Sequence, residues 1–105
     1  MIYQPNGFRV TLPLPLRDNG DQAFPAETWR WWKRSLLTVV DAYTHPGKVE
    51  GFWRGQTEEH LCLFFNISGE NKVDEMRALV EQARGRFEQE SMYFEVAQVY
   101  FEEVQ

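Results

Sequence analysis

The sequence predicts an α+β domain in which two helices cover one face of an antiparallel sheet. Two segments repeat apolar residues at every third or fourth position, which is the period of an amphipathic helix. The segments before, between and after them are rich in β-branched and aromatic residues that alternate with polar ones, as in strands. The chain of 105 residues has the length of one domain, so residues 1–105 are assigned to a single unit.

The first strand is predicted at residues 8–12, where the run FRVTL alternates apolar and polar side chains. Pro13 and Pro15 follow, and proline cannot donate a hydrogen bond to a neighbouring strand. We therefore expect regular pairing to end near Leu12, or to continue only where the missing amide hydrogen would face away from a neighbour.

The first helix is predicted to begin at Pro25 and to run to about Tyr43. Proline favours the first helical position, and the run HPG at 45–47 is typical of a helix end. Five residues form the apolar stripe that we expect in the core: Trp29, Trp32, Leu36, Val40 and Tyr43. Trp31 falls on the opposite side of this helix, so it packs beneath the loop around Phe24 or stands at a surface.

The second half of the chain is predicted to contain a hairpin, a helix and a strand. The hairpin strands are placed at 49–54 and 60–67, joined through the polar run GQTEE at 55–59. Asn71 is expected to cap the second helix, and 92–101 is predicted as the last strand. The apolar stripe of the second helix is Val73, Met76, Val80, Ala83 and Phe87. This order of elements is that of the ferredoxin-like βαββαβ sandwich, with both helices on one sheet face.

Alternation assigns each strand residue to a face, because successive side chains point to opposite sides of a sheet. Leu61, Leu63, Phe65 and Ile67 are predicted to face the helices, and so are Met92, Phe94 and Val96. Pairing Arg54 with His60 would place Val49, Gly51 and Trp53 on the helix side. A register shifted by one residue would turn Glu50 inward as an unpaired carboxylate, which is costly in a core.

The far face of the sheet, which points away from the helices, is predicted to bind a ligand or a second copy of the chain. Six residues are assigned to it as the binding or dimer face: Glu50, Phe52, Arg54, His60, Phe64 and Tyr93. Arg9, Thr11, Cys62, Glu95 and Ala97 are expected on the same side. Exposing this many aromatic side chains to water is unfavourable, and the charged residues among them prevent the face from packing as a second core. We therefore expect a homodimer through the sheet face or the last strand.

The candidate chemistry of this face is limited. His60 and Glu95 are the candidate catalytic bases, and Arg54 the candidate anchor for an anion. In the alternative interpretation Arg54, Glu50 and Glu95 form salt bridges at a dimer interface. Cys62 stands among apolar neighbours and is expected to be a buried, inert thiol. Two histidines and scattered carboxylates make no ligand pattern, so neither a metal nor another cofactor is predicted.

Composition narrows the partners and the compartment. A net charge of -5 argues against nucleic acid as a partner, because that affinity depends on Lys and Arg. A single cysteine rules out an intrachain disulfide, which favours a reducing compartment. Pro5 and Gly7 stand where a signal peptide would have an unbroken apolar run, and no run approaches a membrane span. A cytoplasmic protein without membrane contact is expected.

Three short motifs resemble those of a family of small uncharacterised bacterial proteins. They are ETWRWW at 27–32, GFWRG at 51–55 and ARGRFEQES at 83–91. The positions that fit are Trp29, Gly51, Trp53, Arg54, Phe87, Gln89, Glu90 and Ser91. The chain departs from the family in a shorter segment before Val49 and a longer last strand. The resemblance implies no assigned activity. The predicted architecture is also similar to that of dimeric α+β barrel proteins, which include monooxygenases, isomerases and ligand-sensing domains.

Two functions from different classes follow from these residues. The first is a non-catalytic dimeric module that binds a small molecule or a protein partner through the far face. The second is a small cofactor-free enzyme of the α+β barrel type, monooxygenase-like or isomerase-like, with His60 or Glu95 as base and Arg54 orienting an anionic substrate. The second requires an enclosed cavity, and the sequence favours the first.

Overall fold

The computed structural model describes residues 3–105, apart from the side chain of Trp53. Along this part of the chain run strand β1 (Gly7–Pro15), helix α1 (Ala26–Leu36), strand β2 (Thr44–Trp53), strand β3 (Gln56–Ile67), helix α2 (Glu70–Arg86) and strand β4 (Glu95–Val99). The strands form one sheet in the order β2-β3-β1-β4, and all neighbours are antiparallel. The predicted α+β class, with an antiparallel sheet and two helices, is confirmed.

The core lies between the sheet and the helices. The sheet contributes every second residue of its two central strands: Val10, Leu12 and Leu14 of β1, and Leu63, Phe65 and Ile67 of β3. The helices and the segments around them contribute Phe24, Trp32, Leu36, Val40, Met76, Leu79, Val80, Ala83 and Phe87. The predicted stripes are thus largely correct, because a helix packed on a sheet buries the residues that repeat at its own period.

An aromatic cluster closes one end of this core. Phe87, which has no exposed surface, packs edge-on against Phe24 with a centroid distance of 4.9 Å. It also packs against Trp29 at 5.1 Å. Trp31 lies on the other side of α1, where the guanidinium of Arg86 sits 4.6 Å from its ring. Trp31 is half-buried: part of it packs against the core, and its ring contacts Arg86.

The prolines of β1 do not end the strand. Pro13 and Pro15 stand opposite Cys62 and His60 of β3, so β1 continues past the predicted end. The pairing with β4 stops earlier, at Thr11. Beyond that point β1 has a neighbour on one side only, and a residue without an amide hydrogen is tolerated there.

Helix α1 ends at Leu36, seven residues before the predicted end, and β2 begins at Thr44. The run Thr38, Val39, Val40 is β-branched, which lowers helix propensity. The Thr38 hydroxyl also donates to the Ser35 carbonyl at 2.7 Å, close to the point where the helix ends. The run HPG at 45–47, predicted as a helix end, instead forms an irregularity in the edge strand β2.

The predicted hairpin register is wrong. Arg54 and Gly55 form the turn with positive φ values of 47° and 84°, as in a two-residue turn of type I′. Val49, not Arg54, therefore stands opposite His60, and Glu50 stands opposite Glu59. Glu50 takes the helix-side parity that we expected to be costly, yet it is exposed, and every other residue from 50 to 59 whose side chain the structure describes is also exposed or half-buried.

Two smaller predictions also need correction. Helix α2 begins at Glu70 after Gly69, and Asn71 makes no capping hydrogen bond. Strand β4 begins at Glu95 instead of residue 92 and ends at Val99. Continued pairing would set Tyr93 opposite Pro13, which has no amide hydrogen to donate.

The segment after β4 is held by Asn6. The side-chain amide of Asn6 donates to the carbonyl of Phe101 at 2.9 Å, and its side-chain oxygen accepts from the backbone N–H of Phe101 at 3.1 Å. In residues 3–105, neither helix is long and apolar enough to cross a membrane.

Candidate functional site

The open face of the sheet is the side that points away from the helices. Among the residues that strand register assigns to it are eleven in the middle of the sheet: Arg9, Thr11 and Pro13 of β1, Val49 and Gly51 of β2, His60, Cys62, Phe64 and Asn66 of β3, and Glu95 and Ala97 of β4. Gly7 and Pro15, at the two ends of β1, have the same parity and are buried. Each of the eleven residues is half-buried or exposed, whereas their neighbours on the helix side of β1 and β3 are almost all buried. The open face is therefore the accessible surface of the sheet.

Arg9 is held in place on this face by two contacts. Its Nε donates to Oδ1 of Asn66, directly opposite on β3, at 3.0 Å. Its guanidinium carbon also lies 4.7 Å from the centre of the Phe64 ring. A cation above an aromatic face is attracted to it, so Phe64 and Asn66 together restrict the guanidinium. Arg9 was expected on this side of the sheet, but its partners could not be read from the sequence.

Tyr93 and Glu95 form a second polar pair at the margin of the open face. The Tyr93 hydroxyl donates to Oε2 of Glu95 at 2.6 Å. This hydrogen bond, followed by the negative charge of Glu95, raises the pKa of Tyr93 above its usual value of 10.0. A tyrosine is protonated at neutral pH even at its usual pKa, and here its hydroxyl acts as a hydrogen-bond donor. Glu95 stands opposite Thr11, which in turn stands opposite Phe64, so one row crosses three strands.

His60 lies further along the face, toward the hairpin turn. Its Nε2 is 3.4 Å from Oε2 of Glu58, and its ring covers Gly51. A Cβ atom on Gly51 would come within 3.2 Å of the ring, which explains why a residue without a side chain suits this position.

Cys62 lies between His60 and Phe64 on the same face. It stands opposite Pro13 of β1 and Gly47 of β2. Gly47 has a positive φ of 111° and open space where a side chain would project. Pro13, Cys62 and Phe64 thus form an apolar strip with free space beside it. The thiol is half-buried, not fully buried as predicted.

Only part of the predicted binding face is brought together. His60 and Phe64 lie on the open face, and Tyr93 stands beside it. Glu50 and Phe52 lie on the other side of the hairpin, where Phe52 is 74% exposed. Arg54 is in the turn, and with a strand rise of about 3.3 Å per residue it is separated from His60 by well over 10 Å along β3. The pairing of Arg54 with His60 is therefore incorrect, while the roles assigned to the individual residues remain predictions.

Two clefts in the structure lie elsewhere. A groove of about 540 Å³ runs between the two helices, bordered by Trp31, Thr38 and Leu79 among others. A polar cleft of about 490 Å³ lies between the 17–21 loop and the start of β3. Neither is lined by His60, Phe64 or Tyr93. In residues 3–105, no three His, Cys, Asp or Glu side chains are close enough to hold a metal ion.

Comparison with known proteins gives a similar fold. No protein-family model matches the chain, and no curated protein does either. A solved structure that is similar belongs to a phage SAM lyase in complex with S-methyl-5'-thioadenosine. Its TM-score is 0.58 with 18% sequence identity, over 93% of this chain and 85% of that chain. At this identity the likeness shows a shared fold.

Proposed function

We propose that this protein is a ferredoxin-like homodimeric module that binds a small molecule on the open face of its sheet. One observation carries the proposal: an accessible sheet face combines an apolar strip, Pro13, Cys62 and Phe64, with side chains already held in place. Ligand sites commonly pair apolar walls with a few placed polar groups. In this proposal a second copy covers the face, and the ligand lies between the two sheets.

The ligand class proposed is a flat nitrogenous ring joined to a thioether, such as S-methyl-5'-thioadenosine. A flat ring needs an apolar surface, and Pro13 and Cys62 supply one next to the open space at Gly47; Phe64, whose ring lies 4.7 Å from the guanidinium carbon of Arg9, borders it. The shared fold with a lyase in complex with S-methyl-5'-thioadenosine supports this choice of ligand, because that fold can hold such a molecule. The proposal does not require catalysis by this chain.

The test is calorimetric titration of S-methyl-5'-thioadenosine into the wild type, Phe64→Ala and Phe52→Ala. Both variants remove one phenyl ring, but Phe52 is 74% exposed on the opposite side of the hairpin. We expect Phe64→Ala to weaken binding at least about fivefold, as loss of a ring packed against a base does. Phe52→Ala should bind as the wild type does. Equal loss in both variants, or no binding to the wild type, would contradict the proposal.

A second candidate is a lyase-type enzyme, in line with the alternative of a cofactor-free enzyme drawn from the sequence. The observation that favours it is the carboxylate of Glu95, a candidate base beside a tyrosine that stays protonated. In this candidate the anion anchor is Arg9, which lies on the open face with Glu95, rather than Arg54 in the turn. Incubation with S-adenosylmethionine decides this alternative: release of S-methyl-5'-thioadenosine by the wild type, lost in Glu95→Gln, would support an enzyme.

A further inference from the structure

We propose that Arg9 and Glu95 form a subsite for an amino-acid zwitterion, with the ligand carboxylate on Arg9 and its ammonium group on Glu95. This inference rests on the proposed function and specifies the ligand more closely. It predicts that the preferred ligand carries an α-amino-acid group in addition to its flat ring.

Arg9 has the geometry of a carboxylate receptor. A guanidinium presents five N–H donors in a planar fork, and two parallel donors match the two oxygens of a carboxylate. The Nε group of Arg9 already donates to Oδ1 of Asn66, and the guanidinium lies over the ring of Phe64, which restricts its orientation. In residues 3–105 no hydrogen bond or ion pair engages the terminal amino groups of Arg9. These two groups are therefore positioned and ready to donate.

Glu95 supplies the opposite charge from the neighbouring strand β4. Arg9 stands opposite Ala97, and Glu95 lies two residues before Ala97 on the same face. The strand positions of such diagonal neighbours are roughly 7–8 Å apart, and the Arg9 guanidinium reaches from its position toward Phe64 and Asn66 on β3. An α-amino acid carries its carboxylate and ammonium groups on a single carbon, so one such carbon between the two side chains would bring each group to its partner.

The Tyr93 hydroxyl occupies one of the two oxygens of Glu95. It binds Oε2 of Glu95, and no salt bridge joins Arg9 to Glu95 within the described part of the chain. No hydrogen bond there engages Oε1 of Glu95 either, so this oxygen can accept from an ammonium group. One cation and one anion in the subsite favour a ligand group of zero net charge. A phosphate fits poorly, because Glu95 would repel a multiply charged anion.

The subsite lies next to the proposed ring site. Thr11 stands between Glu95 and Phe64 in the same row, and Phe64 begins the apolar strip. A ligand with its amino-acid group over Ala97 would therefore extend across Phe64 toward Cys62.

The test compares S-adenosylhomocysteine with S-methyl-5'-thioadenosine, because both are thioethers of adenosine and only the first has the amino-acid group. Calorimetry on the wild type should give an affinity for S-adenosylhomocysteine about tenfold or more higher, as charged hydrogen bonds contribute. Arg9→Met and Glu95→Gln should each lose most of this advantage. The glutamine of Glu95→Gln keeps an oxygen that can accept the hydrogen bond from Tyr93. The variant therefore removes the negative charge and changes little else. Arg30→Met, at an exposed position of α1, is the matched control and should keep the advantage.

Three results are distinguishable. If the wild type binds both molecules equally, or if Arg9→Met keeps the full advantage of S-adenosylhomocysteine, the zwitterion subsite is wrong while the proposed function stands. If the wild type binds neither molecule, the proposed function fails and the subsite fails with it. Sedimentation of each variant confirms that the assembly matches that of the wild type.

Discussion

Phe87→Ala is expected to lower the free energy of unfolding by about 3–5 kcal/mol, the usual loss when a buried phenylalanine is truncated. Phe87 follows α2 and has no exposed surface. Its ring joins Phe24 and Trp29, so its removal leaves a cavity between the loop before α1, the helix α1 itself and the end of α2. Whole domains are stable by only about 5–15 kcal/mol, so this one change removes a large share.

Urea unfolding followed by tryptophan fluorescence measures this loss. The control is Phe52→Ala, which removes the same ring from an exposed position and should change stability by less than about 0.5 kcal/mol. If Phe87→Ala were no more destabilising than Phe52→Ala, the aromatic cluster would not be part of the core.

The second large effect is a contrast between adjacent residues of β3. Leu63→Asp is expected to prevent stable folding, because Leu63 has no exposed surface and an unpaired carboxylate in a core costs several kcal/mol. Phe64→Asp is expected to leave the fold intact, because Phe64 is only half-buried on the open face. The same change should abolish the proposed self-association by placing a charge where two copies would meet.

Circular dichroism and sedimentation read the two outcomes separately. A folded, monomeric Phe64→Asp beside an unfolded Leu63→Asp supports both the assignment of the faces and the dimer. A Phe64→Asp protein that is folded and still dimeric would place the dimer contact elsewhere, with the edge of β4 as the remaining predicted position.

The features predicted correctly from sequence are those encoded by local periodicity. The stripe through Trp32 and Leu36 and the alternation of Leu63, Phe65 and Ile67 each repeat with the period of their element. An element that is buried on one side needs apolar residues at its own period, and this repeat is visible in the local sequence. It can therefore be predicted without the tertiary structure. The same periodicity placed Arg9, His60 and Phe64 on the open face.

The hairpin register failed for a reason that is not local. The run GQTEE is polar and was interpreted as a loop, but most of it is strand in an exposed part of the hairpin. The turn is instead Arg54 and Gly55, a pair less typical of type I′ turns than Asn-Gly. An inward Glu50 would be costly only if the helices covered the whole hairpin. How far they cover it depends on tertiary packing, which local sequence pattern does not encode, so the exposure of Glu50 could not be predicted.

The candidate site shows the same division. Sequence alternation assigns Arg9 to a face, but its hydrogen bond to Asn66 connects residues 57 positions apart in the chain. A contact of this kind depends on strand order and register, which a single sequence specifies weakly. The prediction of Arg54 as the anion anchor depends on its pairing with His60, and the observed register instead places Arg54 in the turn, with Val49 opposite His60.

The most direct test of the open face as the ligand site is nitrogen-15 NMR of the labelled protein during titration with S-methyl-5'-thioadenosine. Our account predicts that the backbone amide shifts concentrate at Arg9, Thr11, Cys62, Phe64 and Glu95. Shifts concentrated in the groove between the helices, around Thr38 and Leu79, would contradict it and place the ligand site on the other side of the molecule.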